Sequence, residues 1–127
     1  MAGKTDDCEL CRLDRILFES DKAYVRFDNY SLSKGHVLVV PRRHVANFFD
    51  MTTEEKTSVL ALLDRAKAHI EEQHKPDGYN IGVNIGQAGG QSRMHVHVHL
   101  IPRYTGDVDD PSGGIRCVLA KRKPASH

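Results

Sequence analysis

Hydrophobic positions along this chain switch between two periods. Across residues 53–73, Val59, Leu62, Leu63, Ala66 and Ile70 recur every three or four positions, which lays one apolar stripe along a helix. Thr52-x-x-Glu55 ahead of that stretch fits a capping box. Pro76-Asp77-Gly78 behind it stops the helix. On both sides of the helix the period drops to two. Residues 15–20 and 23–28 read as strands joined by Asp21-Lys22, and 29–35 as a polar loop. Residues 36–41 form a Val-rich strand ending at Pro41. In 79–86, Tyr79, Ile81, Val83 and Ile85 alternate with Asn80, Gly82 and Asn84. Residues 87–91, with Gly89-Gly90, form a loop, and 95–102 are a further strand. Residues 8–13 make a short helical turn at the start. Strands, a long helix and strands again, with short connections, predict an α+β fold: an antiparallel sheet of about five strands, covered on one face by the long helix.

Composition adds limits to this picture. With 127 residues, 39% hydrophobic and 28% charged, the chain reads as a single domain over 1–127. The polar ends, 1–7 and 121–127, are expected to be disordered. A net charge of +1 argues against binding to polymeric nucleic acid, because a phosphate backbone calls for a clear basic excess. It leaves room for a single nucleotide. The longest apolar runs, such as Val37-Leu38-Val39-Val40, fall far short of the roughly 20 residues that a membrane span needs. The first seven residues lack an apolar signal core, so the expectation is a cytoplasmic protein with no membrane contact. No P-loop is present.

Histidine is the outlying residue type, with eight copies, three of them in His95-Val96-His97-Val98-His99. On a strand these three imidazoles share one face, about 6.6 Å apart, while Val96, Val98 and Leu100 turn to the core. Packing accounts for the valines but not for the histidines. Three readings fit the row: a plain exposed polar face, an all-histidine zinc site, or nucleophilic catalysis with the middle imidazole attacking phosphorus. The approach to the row, Gln87-Ala88-Gly89-Gly90-Gln91-Ser92, supplies glycines for close backbone approach and neutral donors suited to phosphate oxygens.

Gly90-Gln91-Ser92-x-x-His95-Val96-His97-Val98-His99-Leu100-Ile101-Pro102-Arg103 resembles the signature of the histidine triad family of nucleotide hydrolases and transferases. Upstream, Asp28 and Gly35-His36-Val37-Leu38-Val39-Val40-Pro41-Arg42-Arg43-His44 resemble that family's first block. The resemblance covers about residues 8–105. It implies that His97 is a nucleophile that becomes nucleotidylated at the α-phosphate and that His99 assists at the phosphate. It further implies that the His95 backbone holds the ring of His97, and that His36 supports the cluster from a neighbouring strand. Asn84, Gln91 and Ser92 match positions along the phosphate path, and Asp28 matches the position that binds ribose hydroxyls. The implied product is a nucleoside monophosphate and the implied assembly a homodimer. The segment after Arg103 resembles that of bacterial and archaeal members more than the nucleoside phosphoramidase branch, since the chain has no tryptophan.

Cys8-x-x-Cys11 alone fits two small core residues, a redox pair or a metal site. Zinc-bearing branches of the family are similar in having such a pair, a histidine after the Pro-Arg-Arg run, and the first triad histidine. The resemblance thus implies a closed, structural zinc on Cys8, Cys11, His44 and His95, with no organic cofactor. Cys117 has no place in that set and reads as a tail residue. His69 and His74 read as surface residues. Phe48, Phe49 and Met51 read as core or dimer contacts, and Ile16, Leu17, Phe18, Tyr24 and Phe27 as core more than as walls of a base pocket.

Overall fold

The helix and the five-stranded antiparallel sheet predicted from the pattern are both present in the computed structural model, which describes residues 8–119. The expected disordered tails, 1–7 and 121–127, lie outside the described residues. A 3-10 turn at Glu9–Cys11 leads to β1 (Phe18–Glu19), β2 (Ala23–Phe27), β3 (Val37–Pro41), α1 (Thr53–His74), β4 (Gly78–Val83) and β5 (Val98–Arg103). Strand order is β1-β2-β3-β5-β4, so the last strand inserts between β3 and β4. Among the described residues no helix is long and apolar enough to cross a membrane.

The apolar stripe of α1 explains how the helix sits. Val59, Leu62, Leu63, Ala66 and Ile70 are buried against Ala23, Val25, Val37, Val39, Val98 and Leu100. Each such side chain contributes roughly 1.5–3 kcal/mol by leaving water. β3 is buried on both faces, which is why it reads as an unbroken apolar run. Val37 and Val39 meet the helix, while Leu38 and Val40 pack on the opposite face with Leu10 and Tyr24. The capping box forms: the Glu55 N–H donates to Thr52 Oγ1 at 3.0 Å, and the Thr52 N–H to Glu55 Oε1 at 2.8 Å. Arg43 Nε and Nη2 donate to the same carboxylate at 3.1 and 2.9 Å. The Arg43 bond, ahead of the other influences, holds the Glu55 carboxyl below its ordinary range. The helix runs to His74 and closes on Lys75 in the left-handed conformation, φ 50°.

The strand ends differ from the expectation. β1 is shorter than 15–20 because Leu13 and Arg15 both take φ 56°, turning the chain before it can pair. β4 stops at Val83, not 86, since Gly86 at φ 76° begins a loop. β5 starts at Val98, not 95: the Val96 N–H donates to Val45 O at 2.8 Å instead of to the sheet ladder. Gly35 fixes the entry to β3. It takes φ 90°, and a Cβ there would lie 3.1 Å from His74, 3.2 Å from Ile70 and 3.3 Å from Pro102. Only glycine makes this turn without strain, and the turn delivers His36 to the face away from the helix.

Candidate active site

Alternation along the strands sorts the chemistry onto one face. Leu38 is paired with Arg26 on β2 and with His99 on β5, so all three point away from α1. A cleft of about 180 Å³ opens there. It brings together Asp28, Asn84, Gln91, Ser92, His97 and His99, six residues singled out by the sequence, and adds Tyr30, Leu38, Gly90 and Arg93. His36 lies behind it, buried, against His99.

The three histidines alternate with the core valines as expected of a row, but they divide between two clusters: His97 and His99 line the cleft, and His95 joins the cysteines. His95 is wholly buried and turns toward the cysteines. The chain leaves the ladder at Val96, whose N–H donates to Val45 O, yet the alternation of side chains continues. His95, His97 and His99 do not gather as one metal-ligand set: the ligand atoms of His95 group with Cys8, Cys11 and His44, and those of His99 with Asp28 and His36. The valines behave as expected: Val96, Val98 and Leu100 are buried in the helix-side core.

Hydrogen-bond partners fix which ring nitrogens carry protons. A carbonyl only accepts, so His97 Nδ1, 2.9 Å from His95 O, must carry its proton. His97 Nε2 is left with a free lone pair in the neutral ring. His36 Nδ1 accepts from the Leu32 N–H at 3.0 Å, so the proton of His36 sits on Nε2. That Nε2–H donates to His99 Nδ1 at 3.0 Å, with Asp28 Oδ2 also 3.3 Å away. His99 then carries its own proton on Nε2 and is a donor. Burial, followed by the nearby His97 and His36, pushes His99 down to about 4, with Asp28 opposing. Burial lowers His36 as well, again against Asp28. The cleft thus presents one imidazole, His97, whose Nε2 makes none of the bonds above, and one, His99, that offers a donor through Nε2.

Gln91 is more occupied than the sequence implied. Its amide nitrogen donates to Ala46 O at 2.7 Å and Arg93 O at 2.9 Å, and its carbonyl accepts from the Gly86 N–H at 2.9 Å. It holds the loop and shapes the cleft with its polar atoms already partnered. Ser92 and Asn84 are exposed at the cleft wall. Asp28 accepts the Tyr30 N–H on Oδ1 at 2.9 Å and turns Oδ2 to the histidine pair.

Cys8, Cys11, His44 and His95 place one ligand atom each within 4.8 Å of one another. His95 Nδ1 is 3.3 Å from both sulfurs, and His44 Nδ1 is 3.2 Å from Cys11 Sγ. Usual zinc bond lengths in a tetrahedron put sulfur and nitrogen about 3.5 Å apart, so this donor set fits the ion. The opposite ring nitrogen of His95 donates to Pro41 O at 2.7 Å, which leaves Nδ1 as a lone-pair donor toward the sulfurs. Burial, with Cys11 beside it, raises the Cys8 thiol above its ordinary value.

Sequence reasoning missed Arg93, Tyr30, Glu9 and Arg26. Arg93 pairs with Glu9, whose other oxygen meets the buried Arg26 at 3.3 Å. A basic residue between Ser92 and the triad, and an arginine on β2 two residues before Asp28, were the available signals.

A strand-borne histidine cluster beside an antiparallel sheet with one long helix defines a histidine triad protein. Residues 12–106 match the HIT domain, and the chain belongs to that family. It is 37% identical over 87 residues to an AP-4-A phosphorylase of Mycobacterium tuberculosis, covering 68% of this chain and 45% of that protein. The match therefore spans less than half of that relative's length. It is 30% identical over 118 residues to a bis(5'-adenosyl)-triphosphatase of Dictyostelium discoideum, covering 93% of this chain and 79% of that one. A Zn-bound histidine triad family protein from Mycobacterium smegmatis has a similar fold, with TM-score 0.72 at 28% identity over 80% of this chain and 78% of that one.

Proposed function

We propose that this chain is a nucleotide hydrolase. It cleaves at the α-phosphorus of a nucleoside phosphoanhydride or phosphoramidate through a nucleotidyl-His97 intermediate and releases a nucleoside monophosphate. The observation that carries this reading is the tautomer of His97, set by the His95 carbonyl at 2.9 Å. The Nε2 lone pair forms the N–P bond as the bond from phosphorus to the leaving oxygen or nitrogen breaks. The leaving group takes that electron pair and gains a proton from solvent. Water then forms a P–O bond and loses a proton, and the N–P pair returns to Nε2. Two displacements replace one difficult step. His99 Nε2–H, Ser92 and Asn84 supply donors for charge on the phosphoryl oxygens. Asp28, which lines the cleft, accepts ribose hydroxyls. The names of the two relatives, a phosphorylase and a triphosphatase, support a dinucleoside polyphosphate as substrate.

Cys8, Cys11, His44 and His95 would hold a structural zinc, which supplies a closed cross-link and no reactive ligand position. A homodimer fits the same reading. β4 is an open sheet edge, Ile81 on it is 54% exposed, and an apolar groove lies between it and Leu60 of α1. A two-fold axis pairs two such edges antiparallel.

Chromatographic product analysis tests the activity. Wild type should release AMP from diadenosine polyphosphates or adenosine phosphoramidate, and His97→Gly should be slower by about a thousandfold or more. AMP binding without turnover of any substrate would replace the hydrolase by a nucleotide-binding module. Full activity in His97→Gly would reassign the nucleophile.

A further inference from the structure

The cleft does not end beside His97. Ser92 and Arg93 line it and also line a second cavity of about 580 Å³, whose other walls include Glu9, Arg12 and His44. Asp28 lines the first cavity only. A nucleotide with its ribose at Asp28 and its α-phosphorus at His97 therefore sends its leaving group past Ser92 and Arg93 into the larger space.

Arg93 is placed to meet that group. Its side chain is 34% exposed, its Nη1 pairs with Glu9, and its guanidinium lies 6.0 Å from the Tyr30 ring centroid. Glu9 does not depend on Arg93 for charge balance. Its second oxygen meets Arg26 Nη2 at 3.3 Å, and Arg26 is 1% exposed. An incoming anion can take Arg93 without leaving the Glu9 carboxylate unpaired. Arg12, exposed on the same cavity wall, adds a second cation against the single carboxylate of Glu9.

We propose that Arg93 is a specificity-determining residue that receives the phosphates of the leaving group, so that the site favours dinucleoside polyphosphates over nucleoside phosphoramidates. The proposal rests on the hydrolase reading above for its orientation. Beyond the α-phosphorus a dinucleoside polyphosphate carries further anionic phosphates, which a guanidinium binds through paired N–H donors. The amine that leaves a phosphoramidate offers nothing of the kind.

Two measurements on Arg93→Ala test it, with Arg93→Lys beside it. Calorimetry compares ADP with AMP, whose difference is one phosphate beyond the α-phosphorus. Steady-state kinetics compares diadenosine tetraphosphate with adenosine phosphoramidate. Arg93→Ala should lower the ADP-to-AMP affinity ratio, and the ratio of kcat/KM between the two substrates, each by about tenfold. Arg93→Lys should recover part of both, since it keeps the charge but not the fork. An unchanged ADP-to-AMP ratio, or equal losses on the two substrates, would overturn the proposal. Wild type that turns over neither substrate would overturn the hydrolase reading instead, and the ADP-to-AMP ratio would still decide the role of Arg93. Should a thermal melt show Arg93→Ala unfolded, Arg93→Gln, which keeps length without charge, takes its place.

Discussion

His99 has no place for a second proton. Its Nδ1 accepts from His36 Nε2–H at 3.0 Å, and His36 cannot turn its proton to Nδ1 because the Leu32 N–H already occupies that lone pair at 3.0 Å. The groups facing His99 are His36, His97 and Asp28, and burial outweighs the one carboxylate, so the ring is pushed down to about 4. An unfolded histidine titrates near 6.5. Between about pH 6.5 and 4 the unfolded chain therefore binds a proton that the folded ring refuses. Stability from this group falls as pH falls through that window and is undiminished above it. The measurement is the His99 ring resonance by NMR from pH 8 to 5, where no midpoint is expected. A midpoint between 6 and 7 would show that the His36 donor bond is not made. The sequence brought His36, His97 and His99 to notice through spacing and family resemblance. It did not show that the His95 ring is anchored on Pro41 O, nor that the amide of Gln91 is spent on Ala46 and Arg93. Both depend on backbone partners in the 41–46 segment, about fifty residues earlier, which no local pattern reports.

The elements were legible where periodicity runs long and illegible where it breaks. The helix stands within one residue of its expected span because capping box, stripe and stop signal agree. The starts of β1 and β5 were misplaced because left-handed residues and a stray hydrogen bond to Val45 delay the ladder, and these leave no mark on a hydrophobic pattern. The helix start also does more than begin a helix. Glu55 accepts from the Thr52 N–H and from two nitrogens of Arg43, and Arg43 adjoins His44 of the cysteine–histidine cluster. Glu55→Ala removes one half of the capping box and leaves Arg43 without its carboxylate. The expected loss is about 2 kcal/mol in a urea melt. Glu55→Gln keeps the cap but not the charge, and should lie between that variant and wild type. Equal stability of all three proteins would mean that Arg43 finds another anchor.

At the scale of the molecule, two joints remain: the one proposed between copies and one within the chain. The proposed pairing of β4 edges would bury Ile81, so on that proposal Ile81→Lys is expected to shift the protein from dimer to monomer in light scattering, while a monomeric wild type would remove that joint altogether. The inner joint ties Cys8 and Cys11 to His95, 87 residues away for the Cys8 contact. The clustering of these four residues was legible only through family resemblance, because they come from three separate segments that the fold alone brings together. Long-range cross-links restrict the unfolded chain most, and a closed metal site adds its binding free energy to folding. Metal analysis should find one zinc per chain, and chelation should lower Tm by about 10 °C or more. His95 also joins this cluster to the chemistry, since its imidazole faces the sulfurs while its carbonyl holds His97 Nδ1. Stripping the metal should therefore lower kcat more than it raises KM, because the nucleophile loses its fixed tautomer while the nucleotide keeps its contacts. Cys8→Ser should reproduce both effects without a chelator. A chelated protein with unchanged Tm would mean that the four side chains stand together through hydrogen bonds alone.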